Sequence, residues 1–411
     1  GSVGNTLLGE PAAAQIRSFH QAFGGRAVPL AGYSPVAVAA EHRGRGLAKA
    51  VMVGHYADLR DRGEVIAGLF PASVALYRSV GFEVAGSYVQ RRVPAAHLAA
   101  ISAPSDLGIR RGTPDDVAAV HRCYARLAIE IDGSMLRTPE AFAARLPPDL
   151  ADTYLYVVDD PAAPGELAGY ALYRHGTARP PYDYSVVVAE VHADSPDRRR
   201  ALWRVVGSSG TQAPVVEMIG PAEDPLWLLV GAADPEAVRS EIRWMLRLVD
   251  APGAVAARGW NPTVRGSVDL AIADEHAPWN AGRWRLTVED GDGRLEPGGE
   301  GTVEVSIQGF SCWWSGYADA HALALQRPHR RDRRRHQRRL RVAGQRQLLL
   351  RPVPDQRRQL LPERLVDLLE HPRRRRIGAR QLAPHADDLG PLPRKHERPR
   401  HRSPRLSLRP D

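Results

Sequence analysis

Short apolar blocks separated by turn-forming residues recur along this chain, and their spacing alternates between that of strands and that of helices. Residues 35–39 and 65–70 are continuous apolar runs of strand length, and between them a helix-like pattern extends to Leu59. A short helix-like segment around Tyr77 is followed by a strand-like run over residues 85–93. This alternation predicts a mixed α/β domain in the first part of the chain.

A second unit begins after residues 94–106, a segment rich in Ala, Pro and Ser that we interpret as a linker. Strand-like residues from position 107 lead into a helix whose start is marked by Thr113 at the N-cap and Pro114 at the first helical position. Further strands of this unit are predicted at residues 154–158, 166–174 and 186–191.

A third unit is predicted to open at residues 244–260, with a helix followed by a meander of strands. The strands are predicted at residues 268–273, 282–289 and 301–308, with a hairpin turn at residues 290–293. The chain is thereby divided into an N-terminal domain (1–93), a linker (94–106), a second domain (107–240), a third domain (241–326) and a tail (327–411).

The net charge of +9 is unevenly distributed between these parts. Residues 327–411 contain 26 Lys and Arg against nine Asp and Glu, whereas the preceding 326 residues contain 30 basic and 38 acidic residues, a net charge of −8. The tail has no Phe, Trp or Tyr and no sustained periodicity, so we expect it to be disordered. Its Arg and Pro content leads to the hypothesis that it is an out-of-frame translation of a GC-rich gene.

The composition argues against a membrane-spanning, secreted or cysteine-stabilised protein. No apolar run is long enough to span a bilayer and the start does not resemble a signal peptide, so we expect a cytoplasmic protein without a membrane partner. Cys123 and Cys312 are the only cysteines, and they support neither a disulfide framework nor a cysteine zinc site.

The strand at residues 35–39 leads into a glycine-rich turn, residues 42–46, and then into a helix. Gly44 and Gly46 allow a tight turn that brings backbone N–H groups together, and the helix adds unpaired N–H groups and the positive end of its dipole. The segment therefore predicts a cradle for a pyrophosphate, although a surface turn that needs glycine for backbone reasons would use the same residues. It has neither the Gly-Lys-Ser/Thr of a Walker loop nor the glycine spacing and acidic residue of a Rossmann motif.

Arg43-x-x-Gly46-x-Ala48 after a strand resembles the acetyl-CoA signature of the GNAT acetyltransferases, whose pattern is Gln/Arg-x-x-Gly-x-Gly/Ala. The following strand, the helix with Tyr77 and the Gly81-Phe82 turn are also in the order typical of that family. The start of the second unit resembles the opening of another GNAT domain. After its last strand, however, residues 195–203 have no glycine pair, so this domain is expected to bind no cofactor.

The third unit resembles a sterol-carrier-like domain, a likeness of fold that does not imply a lipid. The order of the three units resembles the Eis-type N-acetyltransferases of actinobacteria over roughly residues 19–325. The expected fold class is therefore α/β (α+β): two tandem GNAT folds followed by a partial sterol-carrier-like domain. The first GNAT fold is expected to be incomplete, because only about 30 residues precede its cofactor strand and residues 19–32 can supply one strand and a turn. The second is expected to be degenerate.

The resemblance implies that acetyl-CoA, and no metal, is needed as co-substrate. Backbone groups of residues 36–38 would pair with the pantetheine arm, with the Val38 N–H directed at the thioester oxygen, and those of residues 44–49 would hold the pyrophosphate. The implied cofactor-binding residues are Val36, Ala37, Val38, Arg43, Gly44, Arg45, Gly46, Leu47, Ala48, Lys49, Ala72 and Ser73. For Ser73 a plain N-cap is the alternative, and for the two arginines a solvated surface position.

Tyr77 is the implied general acid for the departing CoA thiolate, since a phenol of pKa about 10 is a suitable proton donor. A core tyrosine on a short helix is the alternative. In the family the general base is the chain's own C-terminal carboxylate, a role that cannot be transferred to Asp411 at the end of an unrelated tail. His20 and His42 lie near the motif in sequence, but lone histidines are more often structural.

The resemblance thus implies an N-acetyltransferase that acts on a primary amine of an aminoglycoside-like, polyamine or lysine-type acceptor by direct attack. Family members are hexamers, so a homo-oligomer is expected. A catalytically inactive GNAT scaffold that still binds CoA is the alternative. Nucleic-acid binding through the Arg-rich tail is least favoured, because the tail lacks the aromatic side chains that stack on bases.

Overall fold

A computed structural model describes residues 11–176, 184–222, 224–230 and 238–324 of the 411-residue chain. The tail that we expect to be disordered, residues 327–411, lies outside the described residues. Within the described ranges, eleven strands pair in one sheet: β1 (Ala12–Phe23), β2 (Arg26–Val38), β3 (Ile66–Leu69), β4 (Glu83–Pro94), β5 (Ile109–Arg111), β6 (Met135–Leu136), β7 (Thr153–Asp159), β8 (Leu167–His175), β9 (Ser185–Ala193), β10 (Val215–Pro221) and β11 (Val238–Leu248). A second sheet has the strands β12 (Gly266–Ala273), β13 (Gly282–Glu289), β14 (Asp292–Pro297) and β15 (Val303–Ser306).

The helices are short and lie against these sheets. They are α1 (Leu47–Gly54), α2 (Tyr56–Asp61), α3 (Val74–Arg78), α4 (Ala95–Ala99), α5 (Val117–Ala128), α6 (Pro139–Ala143), α7 (Pro196–Gly207), α8 (Leu226–Val230), α9 (Ala251–Ala257), α10 (Ile307–Trp314) and α11 (Ala320–Ala324). In the part of the chain that the structure describes, no helix has the length and apolar character needed to cross a membrane.

The N-terminal segment forms a long antiparallel hairpin and not the single strand and turn that we predicted. β1 and β2 pair from Phe23↔Arg26 at the turn to Ala12↔Val38 at the open end. The prediction was wrong because residues 12–18 are dominated by Ala and polar residues, which give no strand-like alternation. Their pairing depends on β2 and is therefore not visible locally.

The two GNAT-like units share the eleven-stranded sheet, whose order is β5-β7-β8-β9-β10-β4-β11-β3-β2-β1-β6. β11 pairs antiparallel with β3 on one side and with β4 on the other. We predicted that the third unit opens at residue 244, but residues 244–248 belong to β11 of the large sheet. The predicted boundary between residues 240 and 241 falls inside this strand. Residues 244–249 are buried without interruption, Arg247 included, as suits the part of a strand that lies between two others. Only its partners reveal to which sheet β11 belongs.

The segment predicted as a linker contains α4, which packs against α7. Ala95 and Leu98 of this helix are fully buried, so the segment is part of the core of the second unit. The predicted capped helix start at Thr113 is present, because the Thr113 N–H donates to Oδ2 of Asp116 at 2.8 Å. The strands predicted at residues 154–158, 166–174 and 186–191 correspond to β7, β8 and β9, and β7 and β8 pair antiparallel.

The third unit is a four-stranded sheet with order β14-β13-β12-β15, flanked by α9 and α10. The predicted turn between β13 and β14 is confirmed by the pairing Glu289↔Asp292. The strand predicted over residues 301–308 is shorter than expected, since Ser306 caps α10 by accepting a hydrogen bond from Gly309 N at 3.2 Å. Side chains from the large sheet, among them Phe23 and Trp244, share one apolar core with this unit, and the rings of Phe23 and Trp314 are 4.6 Å apart.

Candidate active site

The parallel pair β2 and β3 separates part of the way along its length. The two strands pair only from Leu30↔Ile66 to Gly32↔Gly68, whereas β2 continues to Val38. Among the described strands, this last part of β2 pairs with β1 alone. Its other edge therefore offers backbone N–H and C=O groups to an extended ligand, in the manner of an added strand. The predicted contacts Val36, Ala37 and Val38 lie on this stretch and are half-buried.

The glycine-rich turn forms a cradle of free backbone donors at the start of α1. Gly44 and Gly46 have φ values of +76° and +77°, which glycine adopts without strain, and a Cβ at either position would meet no atom within 4 Å. The first hydrogen bond of α1 runs from Ala50 N to Gly46 O at 3.0 Å. Within the described residues, the N–H groups of residues 47–49 have no acceptor, so the cradle fits the pyrophosphate of acetyl-CoA.

The side chains around the cradle add positive charge. Arg43 and Arg45 are exposed, and within the described residues neither forms an ion pair with a carboxylate. Arg43 Nε donates to the Val38 carbonyl at 3.4 Å, and Arg45 donates to Nδ1 of His42 at 3.4 Å. Because α1 has no acidic residue in its first turn, nothing there offsets its dipole.

Tyr77 lies in the last turn of α3, inside the apolar core that backs the cradle. Its side chain is 6 % exposed, and Met52 and Phe82 belong to the same core, against which Val36 packs. Burial raises the pKa of Tyr77, so the phenol stays protonated at neutral pH. Among the described residues its hydroxyl has no hydrogen-bond partner, which leaves the proton available to a bound group.

The N-terminal end of α3 is capped by Ser73. Its Oγ accepts a hydrogen bond from Leu76 N at 3.5 Å, and both Ala72 and Ser73 are exposed. This is the alternative role that the sequence left open for Ser73. Contact of these two residues with a cofactor stays a prediction.

The C-terminal end of α3 is held by side chains that the sequence did not reveal. Gln308 Nε2 donates to Arg78 O at 3.0 Å, His276 Nε2 lies 2.9 Å from Ser79 O, and Arg247 NH1 donates to Val80 O at 3.0 Å. A carbonyl oxygen can only accept, so His276 is the donor in its contact. The three side chains are 167 to 230 positions away from their acceptors, and no local pattern marks them.

Arg247 also forms the most deeply buried ion pair of this region. Its NH2 group lies 2.7 Å and 2.9 Å from the two carboxylate oxygens of Asp274, and both side chains are fully buried. A Cβ on Gly81 would come within 1.5 Å of Arg247 NH1. The glycine of the Gly81-Phe82 turn therefore makes room for this guanidinium.

The two histidines near the motif are not brought to Tyr77. His20 is exposed on β1, opposite Leu136 of β6, and His42 accepts from Arg45. No contact of either with Tyr77 exists in the described parts of the chain.

The second GNAT unit repeats the separation of strands but not the cradle. β9 and β10 pair only from Ser185 to Val188, and the opening beyond holds a cavity of about 50 Å³. An ion pair of 2.5 Å between Arg137 and Glu190 lines this cavity. At the start of α7, the backbone N–H of Arg198 donates to Ser195 Oγ, and Pro196 has no backbone N–H. Fewer backbone donors are therefore free here than at the start of α1. That this domain binds no cofactor stays a prediction.

Comparisons with known proteins agree with this three-part organisation. Residues 11–85 and 133–248 each match a family described as an acetyltransferase (GNAT) domain, and residues 251–328 match a sterol carrier protein domain. An uncharacterized N-acetyltransferase of Streptomyces avermitilis is 30% identical, with 66% of this chain and 67% of that protein covered. N-acetyltransferase Eis of Mycobacterium tuberculosis is 29% identical, with 66% of each covered, so the chain spans about two thirds of the length of these curated relatives.

A solved structure has the same architecture. The crystal structure of a GCN5-related N-acetyltransferase from Kribbella flavida is 32% identical in sequence to this chain. The superposition covers 74% of this chain and 74% of that chain, with a TM-score of 0.62. Together with the free backbone donors of the cradle, these similarities establish that the chain belongs to the GCN5-related N-acetyltransferase (GNAT) family and is similar to the Eis type.

Proposed function

We propose that this chain transfers an acetyl group from acetyl-CoA to a primary amine. The observation that carries the proposal is the set of free N–H groups at residues 47–49, next to an open edge of β2 and to the core that contains Tyr77. Acetyl-CoA, when bound, supplies a thioester carbon for the amine to attack and a thiolate to leave.

Each part of the site has one task in this reaction. The N–H groups of residues 44–49 bind the pyrophosphate, where hydrogen bonds to a charged group contribute about 1.5 to 3 kcal/mol each. The open edge at residues 36–38 pairs with the pantetheine arm and thereby orients the thioester. Tyr77, whose pKa is raised further above neutral pH by burial, donates its proton as the carbon–sulfur bond breaks. The proton that the attacking amine loses passes to water, from which Tyr77 is reprotonated.

The net charge of the chain before the tail influences which acceptors approach the site. The first 326 residues carry a net charge of −8, which favours the approach of cationic amines such as aminoglycosides, polyamines or lysine side chains. By analogy with the Eis type, we propose a cytoplasmic homo-oligomer, a hexamer, as the working form.

Calorimetric titration with acetyl-CoA, followed by a thiol-release assay, tests this function. The assay panel contains an aminoglycoside, spermidine and a lysine peptide. Burial raises the pKa of Cys123 to about 11 and that of Cys312 to about 12, so the protein's own thiols add little background. We expect acetyl-CoA to bind. With at least one amine, CoA thiol should be released faster than it is by hydrolysis of acetyl-CoA without an amine. Binding without release by any amine would identify an inactive scaffold, and absence of binding would contradict the cradle.

A further inference from the structure

The helix that carries Tyr77 cannot hold its own position. α3 has only five residues, and helices of this length are not stable alone in water. Just after the helix, the carbonyl oxygens of Ser79 and Val80 take no part in helical hydrogen bonds and accept from side chains. His276 donates to Ser79 O, and Val80 O accepts from Arg247 and also from Tyr56 Oη at 2.7 Å. Gln308 donates to the carbonyl of Arg78, the last residue of the helix. The three donors that are far along the chain, Arg247, His276 and Gln308, we call the α3 clamp.

The α3 clamp comes from outside the cofactor-binding unit. Arg247 lies on β11, His276 follows β12, and Gln308 is in the first turn of α10. Two of its three members thus belong to the sterol-carrier-like domain. A positive charge at a helix C-terminus is also favourable to the helix dipole, which adds to the effect of Arg247.

The clamp acts one to three residues away from Tyr77. Gln308 holds the carbonyl of the next residue, Arg78, and Val80 N donates to Tyr77 O at 3.1 Å. A shift at the end of such a short helix therefore moves the phenol. Displacement of a catalytic group by about 1 Å is enough to cost on the order of 100-fold in rate.

We propose that the α3 clamp positions the Tyr77 hydroxyl, so that the sterol-carrier-like domain is a working part of the acetyl-transfer site. This inference rests on the proposed function, in which Tyr77 is the acid. The clamp residues bind backbone carbonyls of residues 78–80 and act through Tyr77 as positioning residues.

His276 is the member best suited to a test. Its removal takes away a single hydrogen-bond donor, whereas removal of Arg247 would leave the buried carboxylate of Asp274 without a counter-charge. In His276→Gln the amide nitrogen replaces Nε2 as the donor, and in His276→Leu the donor is lost. His97 is exposed on α4, has no side-chain hydrogen bond in the described structure, and gives the matched control His97→Leu.

The experiment measures kcat, KM for acetyl-CoA and the acetyl-CoA Kd of the full chain. We expect His276→Leu to lower kcat about tenfold with KM and Kd within twofold, because the cradle is unaffected. His276→Gln should recover kcat to within about threefold, and His97→Leu should match the parent. If His276→Leu fails to fold, Gln308→Met removes a donor at constant length and should show the same pattern.

A double-mutant cycle decides whether the effect passes through the hydroxyl. In a Tyr77→Phe background, His276→Leu should lower kcat no further, since there is no proton left to position. An additive loss, or a normal kcat for both His276→Leu and Gln308→Met, would overturn the positioning role while Tyr77 remained the acid. Full activity of Tyr77→Phe itself would instead overturn the acid, and the clamp proposal with it.

Discussion

Gly46 is the single residue on which the cradle depends most directly. Its φ of +77° is strained for any other residue, at about 1 to 3 kcal/mol, and a side chain would project into the open space beside the free N–H groups. We expect Gly46→Leu to weaken acetyl-CoA binding by tenfold or more, about 1.4 kcal/mol, as measured by calorimetry.

Gly63 provides the control for backbone strain. It has a φ of +78° and equally open surroundings, but it lies after α2 and away from the cradle. Gly63→Leu should lose similar stability and keep the parent Kd. Equal Kd values for both variants and the parent would contradict the cradle.

Tyr77 gives a prediction for rate and for pH. Tyr77→Phe keeps the ring and its packing, so acetyl-CoA affinity should hold, while kcat and kcat/KM should fall together by about 10² to 10⁴. Burial raises the pKa of Tyr77 above its ordinary value of 10, so the acid stays protonated as pH rises through 7 to 9. We therefore expect that deprotonation of Tyr77 does not lower the kcat of the parent between pH 7 and 9. A fall of kcat in this range that is seen in the parent and is absent from Tyr77→Phe would argue against a buried acid.

At the residue scale, the sequence predicted what is local and missed what is distant. The glycine-rich turn could be found because the conformation of Gly44 and Gly46 is a property of the residues themselves. The need for glycine at position 81 could not be derived, since it arises from Arg247, which is 166 positions later in the chain. Pairings at such separation have no signature in neighbouring residues.

At the scale of elements, the buried ion pair between Arg247 and Asp274 adds to the apolar core that joins β11 to the third unit. Replacement of Asp274 by Asn leaves the guanidinium of Arg247 buried without a counter-charge, which typically costs about 3 to 5 kcal/mol. Asp292→Asn breaks an ion pair with Arg26 in which both side chains are about half exposed, and should cost about 1 kcal/mol or less. Urea unfolding of the two variants measures the difference, and similar losses would mean that the buried pair stabilises no more than an exposed one.

Elements with a strong local pattern were predicted well, and those defined by their partners were not. The strand at residues 282–289 and the capped helix after Thr113 carry their own periodicity and start signals. β1 carries little of either and is ordered by eleven pairings with β2. The placement of β11 between β3 and β4 follows from the topology of the sheet, which hydrophobic spacing alone does not specify.

At the scale of the molecule, the shared sheet means that the first GNAT unit is not an independent domain. A fragment of residues 11–106 would contain β1 to β4 but lack β10 and β11, so both edges of β4 would be unpaired. We expect this fragment to aggregate, whereas residues 11–324 should be monodisperse by gel filtration and bind acetyl-CoA. A well-behaved fragment 11–106 with the full affinity would show that β11 is dispensable for the cofactor site.

The insertion of β11 also has a consequence for the chain while it is still on the ribosome. The cradle and the two strands that flank β11 are complete once residue 94 has emerged, but β11 itself begins only at residue 238. At a synthesis rate of about 5 to 20 residues per second, the gap between those strands stays open for roughly 7 to 30 s. Throughout that interval the nascent chain presents unpaired strand edges to chaperones and to neighbouring nascent chains. Codon choice and translation speed between these positions are therefore expected to influence the yield of folded enzyme.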